Sequence, residues 1–293
     1  GNAPGSATSS QLYIGNATLL ITSGFTLSSN RGLSLAGSPI INTGTYTLTY
    51  GGLITGSGNL SKQGTGVLAL SGSSSSYYGN ITIAAGSIQA SNSNALGSNA
   101  SSSYTSSVTV DSGAWLELSG GITIGQYKSF YLSGTGSDSG GALISTGGSN
   151  TIQGLINLQA ASRINASSGS TLTIDVPSGN AISGSYNLTI GGVGNVVIND
   201  PVVNSGSLTK DGSGMLTLAG VNTYSGATYI TAGVLRASNS SALGATGSGT
   251  TITSGAALQL FGGIAIDVEP ITVSGSGISA DGAIRSVSGS NSI

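Results

Sequence analysis

Residues 205–244 read SGSLTKDGSGMLTLAGVNTYSGATYITAGVLRASNSSALG, and most of this stretch has occurred earlier, where residues 57–97 read SGNLSKQGTGVLALSGSSSSYYGNITIAAGSIQASNSNALG. Leu60 aligns with Leu208 at an offset of 208 − 60 = 148 residues, and a one-residue slip shortens the offset to 244 − 97 = 147 at the end. Similarity at a fixed spacing is the sequence signature of repeat architectures. The chain is therefore predicted to be a repeat protein.

The similarity continues outside these two stretches. Residues 112–122, SGAWLELSGGI, match residues 254–264, SGAALQLFGGI, and residues 149–152 match residues 290–293. We therefore expect a piece of a longer array. The predicted organisation is one continuous β-helix over residues 1–293, with a partial copy at 1–56, a full copy at 57–204 and a second partial copy at 205–293.

The composition favours an ordered β protein over a disordered one. Only 5% of the residues are charged and 50 are glycine, but 38% are hydrophobic and the net charge is −2. Short apolar runs alternate with small polar residues, as in half-buried strands. The chain lacks Cys and His, so we expect neither disulfides nor a metal site built on those ligands, and no cofactor. Nucleic-acid binding and membrane insertion by this segment are not expected, since it has neither a basic patch nor a long apolar run.

Many short strands at close spacing allow a sandwich, a barrel, a propeller or a β-helix. Examples are residues 45–50 and 115–118, and no window sustains a helical period. Hairpin signals such as Asn-Gly are scarce, which favours parallel stacking of equivalent strands. At roughly 20 to 25 residues per coil, the prediction is an all-β parallel β-helix, a solenoid of about a dozen coils.

The residues that the copies share resemble a known repeat. The second copy reads LTKDGSGMLTL at 208–218, NTYSGAT at 222–228 and AGVL at 232–235. These segments closely resemble the passenger-associated strand repeat of bacterial autotransporters. The first copy keeps the lysine and the paired glycines, but it reads SSSYYG at 74–79, where the family has Asn-Thr-Tyr-Ser-Gly. Segments between the copies, such as 161–165, also look like the longer arrays of these passengers.

This resemblance implies a right-handed β-helical stalk that is secreted and displayed outside a Gram-negative cell, within a large adhesin-like protein. The expected function is a non-enzymatic, adhesive or structural rod. Because the ends of a solenoid expose unpaired strand edges, self-assembly into fibres or a matrix, end to end or laterally, is one expectation for its partners. Host or surface glycans are the other.

An enzyme is the first rival, since parallel β-helices also include polysaccharide lyases. Such chemistry needs clustered carboxylates, often with calcium, and a basic residue. Only Asp267 and Glu269 are expected to share a strand face, and a catalytic or calcium site is disfavoured; no Ser-His-Asp arrangement is possible without His. The remaining acids are isolated in sequence: Asp111, Glu117, Asp138, Asp175, Asp200, Asp211 and Asp281.

Residues that recur in both copies are predicted to be structural. Lys62 and Lys210 each precede a Gly-x-Gly turn and are expected to be solvated turn lysines that discourage lateral strand pairing; a ligand contact is the alternative. The full set of repeat-defining residues is Lys62, Gly64, Gly66, Tyr77, Lys210, Gly212, Gly214, Tyr224 and Gly226.

Exposed aromatic residues suggest a carbohydrate-binding module as the alternative function. Trp115 alternates with Leu116, so its indole is expected to point outward beside Glu117, where it could stack on a sugar ring. Its counterpart in the second copy is Ala257, so the fold does not require it. The predicted binding residues are Trp115, Tyr127 and Tyr131, with Phe130 as a possible extension of the same patch.

Overall fold

The computed structural model of the protein describes residues 5–72, 76–98, 105–266 and 268–293. Within these ranges it contains strands, turns and two single-turn 3-10 segments, Ser137–Ser139 and Ile278–Ala280. Every strand pairing is parallel and joins segments about one coil apart in the sequence, as between Ile81 and Val108. The molecule is an all-β parallel solenoid of about 12 turns, which confirms the predicted fold class.

The strands are short because each occupies one side of a coil. In chain order they are β1 Thr8–Ile14, β2 Thr18–Leu20, β3 Phe25–Leu27, β4 Arg31–Leu35, β5 Ile40–Asn42, β6 Thr47–Tyr50, β7 Ile54–Gly56, β8 Leu60–Gln63, β9 Val67–Leu70, β10 Ser76–Tyr77, β11 Ile81–Ile83, β12 Ser87–Ala90, β13 Ser106–Val110, β14 Trp115–Ser119, β15 Thr123–Ile124 and β16 Lys128–Gly134. They continue with β17 Leu143–Thr146, β18 Gly148–Ile152, β19 Ile156–Ala166, β20 Ser170–Ile174, β21 Ile182–Gly184, β22 Leu188–Gly192, β23 Asn195–Ile198, β24 Val202–Asn204, β25 Leu208–Lys210, β26 Met215–Leu218, β27 Thr228–Ile230, β28 Gly233–Ala237, β29 Thr250–Ile252, β30 Ala256–Phe261, β31 Ile271–Val273 and β32 Ile284–Ser288.

The pairings arrange the strands on three faces of the coil. The first face runs through β2, β5, β8, β11, β13, β16, β19, β21 and β24. The second face runs from β3 and β6 through β9, β12, β14, β17, β19, β22, β25, β27 and β29 to β31. The third position is held by β1, β4, β7 and β10, and later by the ladder from β15 to β32. The long strand β19 serves both of the first two faces, which joins them into one sheet.

The core fills the interior of the coil with columns of stacked apolar side chains. On the first face Ile83, Val110, Leu132 and Leu158 follow one another in register, one from each successive coil. All four are buried. Alternate residues point inward along each strand, and neighbouring strands lie about 4.8 Å apart, so like side chains pack directly on one another. Each such side chain contributes roughly 1.5 to 3 kcal/mol when fully buried.

The sequence repeat does not span a whole number of coils. In the first copy Lys62 lies on the first face and Leu68 follows on the second face. Stepwise pairing along the second face then reaches Lys210 in six steps, from Leu68 through Ile88, Leu116, Leu143, Ile164 and Ile190. The offset of 148 residues is therefore six coils plus one face, and equivalent residues of the two copies lie on different faces of the rod.

Candidate functional site

The predicted exposed position of Lys62 is wrong, because the side chain is inside the coil with 0% exposure. Its Nζ donates hydrogen bonds to the carbonyl oxygens of Gln63 at 3.1 Å, Gly64 at 2.8 Å and Ala85 at 3.0 Å. Ala85 belongs to the next coil. The ammonium therefore ties the corner of one coil to the corner of the next, and burial lowers its pKa to about 8.

Lys210 repeats this arrangement in the second copy, so its predicted exposure is wrong as well. Its Nζ donates to the carbonyl oxygens of Asp211 at 2.9 Å, Gly212 at 2.8 Å and Ala232 at 3.1 Å. Burial lowers the pKa of Lys210 to about 8, although the nearby Asp211 carboxylate acts in the opposite direction. Lys210 follows Leu208 at a spacing of two, and that alternation already places both side chains on one strand face.

Lys128 is a third buried lysine, which the sequence reasoning missed. Its Nζ donates to the carbonyl oxygen of Leu96 at 2.7 Å and to Oγ of Ser106 at 2.6 Å, and burial lowers its pKa to about 8. The signal was again the alternation of Lys128, Phe130 and Leu132 on one face of β16. All three lysines of the chain are thus used inside the solenoid.

The glycines after the two lysines meet different geometrical demands. Gly64 has φ of 78°, in the left-handed region that favours glycine. Gly66 packs against the coil before it, and a Cβ there would lie 1.9 Å from the Tyr46 carbonyl oxygen. Gly212 and Gly214 repeat the pair. Gly212 has φ of 77°, and a Cβ added at Gly214 would lie 1.8 Å from the Gly194 carbonyl oxygen.

Tyr77 and Tyr224 are buried in the interior. The Tyr77 hydroxyl lies 2.7 Å from the Gly58 carbonyl and 2.8 Å from the Asn80 carbonyl, while the Tyr224 hydroxyl lies 2.6 Å from Oγ1 of Thr228. Burial raises the pKa of both phenols. Gly226, two residues after Tyr224, packs against the Gly206 carbonyl of the preceding coil.

Trp115 and Glu117 are on the outer side of β14, on the second face, and both are partly exposed. Oε1 of Glu117 accepts hydrogen bonds from Nε2 of Gln89 at 2.9 Å and from Oγ1 of Thr146 at 2.6 Å. Gln89 and Thr146 lie on the neighbouring coils, one on each side. The carboxylate is therefore fixed in place about two residues along the strand from the indole.

The other predicted binding residues lie elsewhere. Tyr131 is on β16 of the first face and borders a surface cavity of about 180 Å³. Tyr127 precedes β16 and borders a different cavity, of about 250 Å³, with Leu155. Phe130 has 0% exposure and belongs to the core, so it does not extend a surface patch. Trp115 thus lies on a different face from the two tyrosines.

The described residues hold no cluster of three or more acidic, His or Cys side chains that could bind a metal ion. Asp267 lies outside the described residues, so its predicted pairing with Glu269 on one face is not described. Glu269 accepts a hydrogen bond from Oγ1 of Thr250 at 2.8 Å, and burial raises its pKa. Asp211 forms a bidentate ion pair with Arg163, with both distances 2.7 Å. A helix long and apolar enough to span a bilayer is likewise not found in the described ranges.

The repeated lysine, glycines and tyrosine hold successive coils of this β-solenoid together, and the comparisons with known proteins concern the same residues. The family model of the passenger-associated-transport-repeat matches residues 60–90 and 208–237. Each match begins at the strand that carries a buried lysine and ends one coil and one face further along the solenoid. The first match runs from β8 to β12 and the second from β25 to β28. The chain carries two copies of this repeat, and the resemblance to autotransporter passengers is confirmed.

A curated relative is also an autotransporter. The chain is 39% identical over 72 residues to the Adhesin BmaC autotransporter of Brucella suis biovar 1 (strain 1330). The match covers 25% of this chain and 2% of that adhesin. No solved structure matches the chain.

Proposed function

We propose that this chain is an adhesive, non-enzymatic segment of an autotransporter passenger, in which a stiff β-helical rod presents its outer faces to a surface. The observation that carries the proposal is the position of the lysines that recur in the two copies of the repeat. Lys62 and Lys210 each bond to three carbonyl oxygens within the coil. These ammonium groups join one coil to the next and do not face solvent. Such contacts stabilise a stiff rod, whereas a catalytic lysine would have to reach a substrate.

Extracellular display on a Gram-negative cell is part of this proposal. It is supported by the two passenger repeats and by the similarity to an autotransporter adhesin. The absence of cysteine fits the same setting, since the chain folds without disulfides.

Surface display followed by an adherence measurement tests the function. The chain would be fused between a secretion signal and an outer-membrane anchor in a non-adherent host, and the anchor alone would be the control. We expect protease-accessible chain on the cell surface and increased adherence to coated protein or glycan surfaces. Display without increased adherence to any of them would remove the adhesive function and leave a spacer.

Assembly into fibres or a matrix is a further part of the proposal. The solenoid is built by pairing the strand edges of successive coils, as β2 pairs with β5 and β29 with β31. Unpaired strand edges are templates for further pairing, and a head-to-tail contact that does not close gives filaments. Electron microscopy of the concentrated chain is the test: filaments with a rod-length repeat are expected, and isolated rods would contradict it.

Glycan recognition is the second candidate function. The observation in its favour is the partly exposed indole of Trp115 beside the fixed carboxylate of Glu117. Tyr127 and Tyr131 would form separate contacts on the first face. Binding to a glycan array that is lost in Trp115→Ala would support this candidate.

A further inference from the structure

The outer surface around Trp115 has an equivalent in the second copy, and the two surfaces carry different side chains at three aligned positions. In the alignment of the two copies, Trp115 and Glu117 correspond to Ala257 and Gln259 at an offset of 257 − 115 = 142 residues, and Gln89 corresponds to Arg236 at 236 − 89 = 147. The pairing is equivalent as well, since Gln89 lies opposite Glu117 and Arg236 lies opposite Gln259. The chain thus contains two versions of one surface.

In the second copy the surface is filled by the chain's own guanidinium. Nε and Nη2 of Arg236 donate to Oε1 of Gln259 at 3.1 and 2.9 Å, and the guanidinium carbon lies 5.2 Å from the centre of the Phe261 ring. Under this cover Ala257 is 0% exposed and Gln259 is 9% exposed. A cation packed on an aromatic ring with an oxygen acceptor at its edge is a stable arrangement.

In the first copy the guanidinium is replaced by the neutral Gln89, and the acceptor is the carboxylate of Glu117. The counterpart of Phe261 is Ser119, and the aromatic ring lies instead on the other side of the acceptor, where Trp115 takes the place of Ala257. Glu117 is the only acidic side chain on the second-face strands β6, β9, β12, β14 and β17, which contain no lysine or arginine. The nearest cation along this face, Arg163, is already paired with Asp211.

The Ser87 hydroxyl next to Trp115 is covered, although it lies on the outer side of its strand. Ser87 points outward from β12, opposite Trp115, yet it is only 1% exposed and its hydroxyl has no hydrogen-bond partner in the structure. On this outer column Ser87 has only Val67 and Trp115 beside it. The indole is the larger of these two side chains and accounts best for the cover over Ser87, while its partial exposure leaves part of the ring open to solvent next to Glu117.

We propose that Trp115 and Glu117 form a docking site for an arginine side chain of a partner polypeptide. The guanidinium stacks on the indole, and its N–H groups donate to Oε2 of Glu117, while Oε1 is held by Gln89 and Thr146. A planar guanidinium suits this pair better than an ammonium, because it stacks and donates in one plane. The proposal rests on the adhesive function, for which it names the chemistry of a partner.

Trp115 is the only tryptophan of the chain, so its fluorescence reports on this site alone. The whole chain would be titrated with the peptide acetyl-Gly-Arg-Gly-amide, with the same peptide containing citrulline, and with a glucosamine tetramer. We expect a saturable change of emission with the arginine peptide and roughly tenfold weaker binding of the citrulline peptide, as one ion pair and one cation–π contact provide.

Three variants complete the test. Glu117→Gln should weaken binding of the arginine peptide to about the level of the citrulline peptide. Asp138→Asn, which changes the same charge at an exposed position elsewhere, should leave binding unchanged. Gln89→Arg should fill the site from within, as Arg236 does in the second copy, and abolish the peptide response while the far-ultraviolet circular dichroism stays the same.

Equal binding of the arginine and citrulline peptides, or no response to either, would overturn the proposal. An indole response to the glucosamine tetramer alone would also overturn it and would favour glycan recognition. If Gln89→Arg does not fold, the comparison of Glu117→Gln with Asp138→Asn still decides the matter. The adherence assay described above tests the adhesive function separately, since a displayed chain can adhere through other surfaces even when this site takes no arginine.

Discussion

Replacing Lys210 by methionine tests whether the buried ammonium holds the coils together. Methionine keeps most of the length and the apolar stem but removes all three donors. The carbonyl oxygens of Asp211, Gly212 and Ala232, which Lys210 contacts at 2.8 to 3.1 Å, then lose their only hydrogen-bond donor in the described structure. An unsatisfied buried carbonyl costs roughly 1 to 3 kcal/mol.

The net loss is smaller than three such costs, because the variant no longer has to bury a charge. We expect Lys210→Met to lower the free energy of unfolding by about 3 kcal/mol. Lys62→Met should cost about 1 kcal/mol less. The reason is that one of its three acceptors, the Gln63 carbonyl, also accepts from the backbone N–H of Thr43 at 2.9 Å and from its hydroxyl at 3.2 Å.

The assay is urea unfolding followed by circular dichroism and by the fluorescence of Trp115. Thr209→Ala, an outward-facing change on the same strand, is the matched control and should shift the midpoint little. The double variant with both Lys62→Met and Lys210→Met should lose the sum of the two single losses of unfolding free energy, because the two lysines are about six coils apart and share no contacts. A Lys210→Met chain as stable as the parent would refute the reasoning and would mean that burying the ammonium costs as much as its three bonds provide.

Three more predictions follow from the buried groups. An amine-reactive reagent should leave the three lysines of the native chain unmodified until the chain is unfolded, and mass spectrometry of labelled peptides would reveal any early lysine adduct that contradicts this. Stability should rise as the pH increases from 8 to about 10, because the unfolded lysines, with their ordinary pKa of 10.5, bind more protons than the folded ones with pKa values of about 8. Stability should fall again above pH 10, because the raised phenol pKa values keep Tyr77 and Tyr224 protonated only in the folded state. A urea midpoint that declines between pH 7 and 9 would show that the predicted lysine effect is wrong. Finally, Gly66→Ala should destabilise the fold by about 3 kcal/mol or more, since its Cβ would overlap the Tyr46 carbonyl of the neighbouring coil, whereas Gly247→Ala, with open space around it, should have little effect on the thermal midpoint; equal midpoints would contradict the close approach of the two backbones.

The inward positions of the polar residues illustrate how far a sequence pattern reaches. The period of two placed Leu60 and Lys62 on the same strand face, and likewise Lys128 and Phe130. Charge argued for solvent at Lys62, and that argument was wrong; for Lys128 the sequence reasoning made no prediction. A lysine can be buried only where several acceptors converge on its ammonium, and the Ala85 carbonyl that completes the set for Lys62 comes from another coil. That convergence is absent from any one stretch of sequence.

The sequence by itself determined the repeat and the parallel β-solenoid class, because the similarity of the copies and the period of two along each short strand can be read locally. The number of coils followed from the chain length and the coil size common to such solenoids. The tertiary structure alone decided which faces the copies occupy and which side chains meet across coils. One added or missing strand between the copies rotates the second copy to the next face, as the pairing from Leu68 to Lys210 demonstrates. For the same reason the grouping of Glu117 with Gln89 and Thr146 depends on the register between coils, which local sequence spacing does not encode.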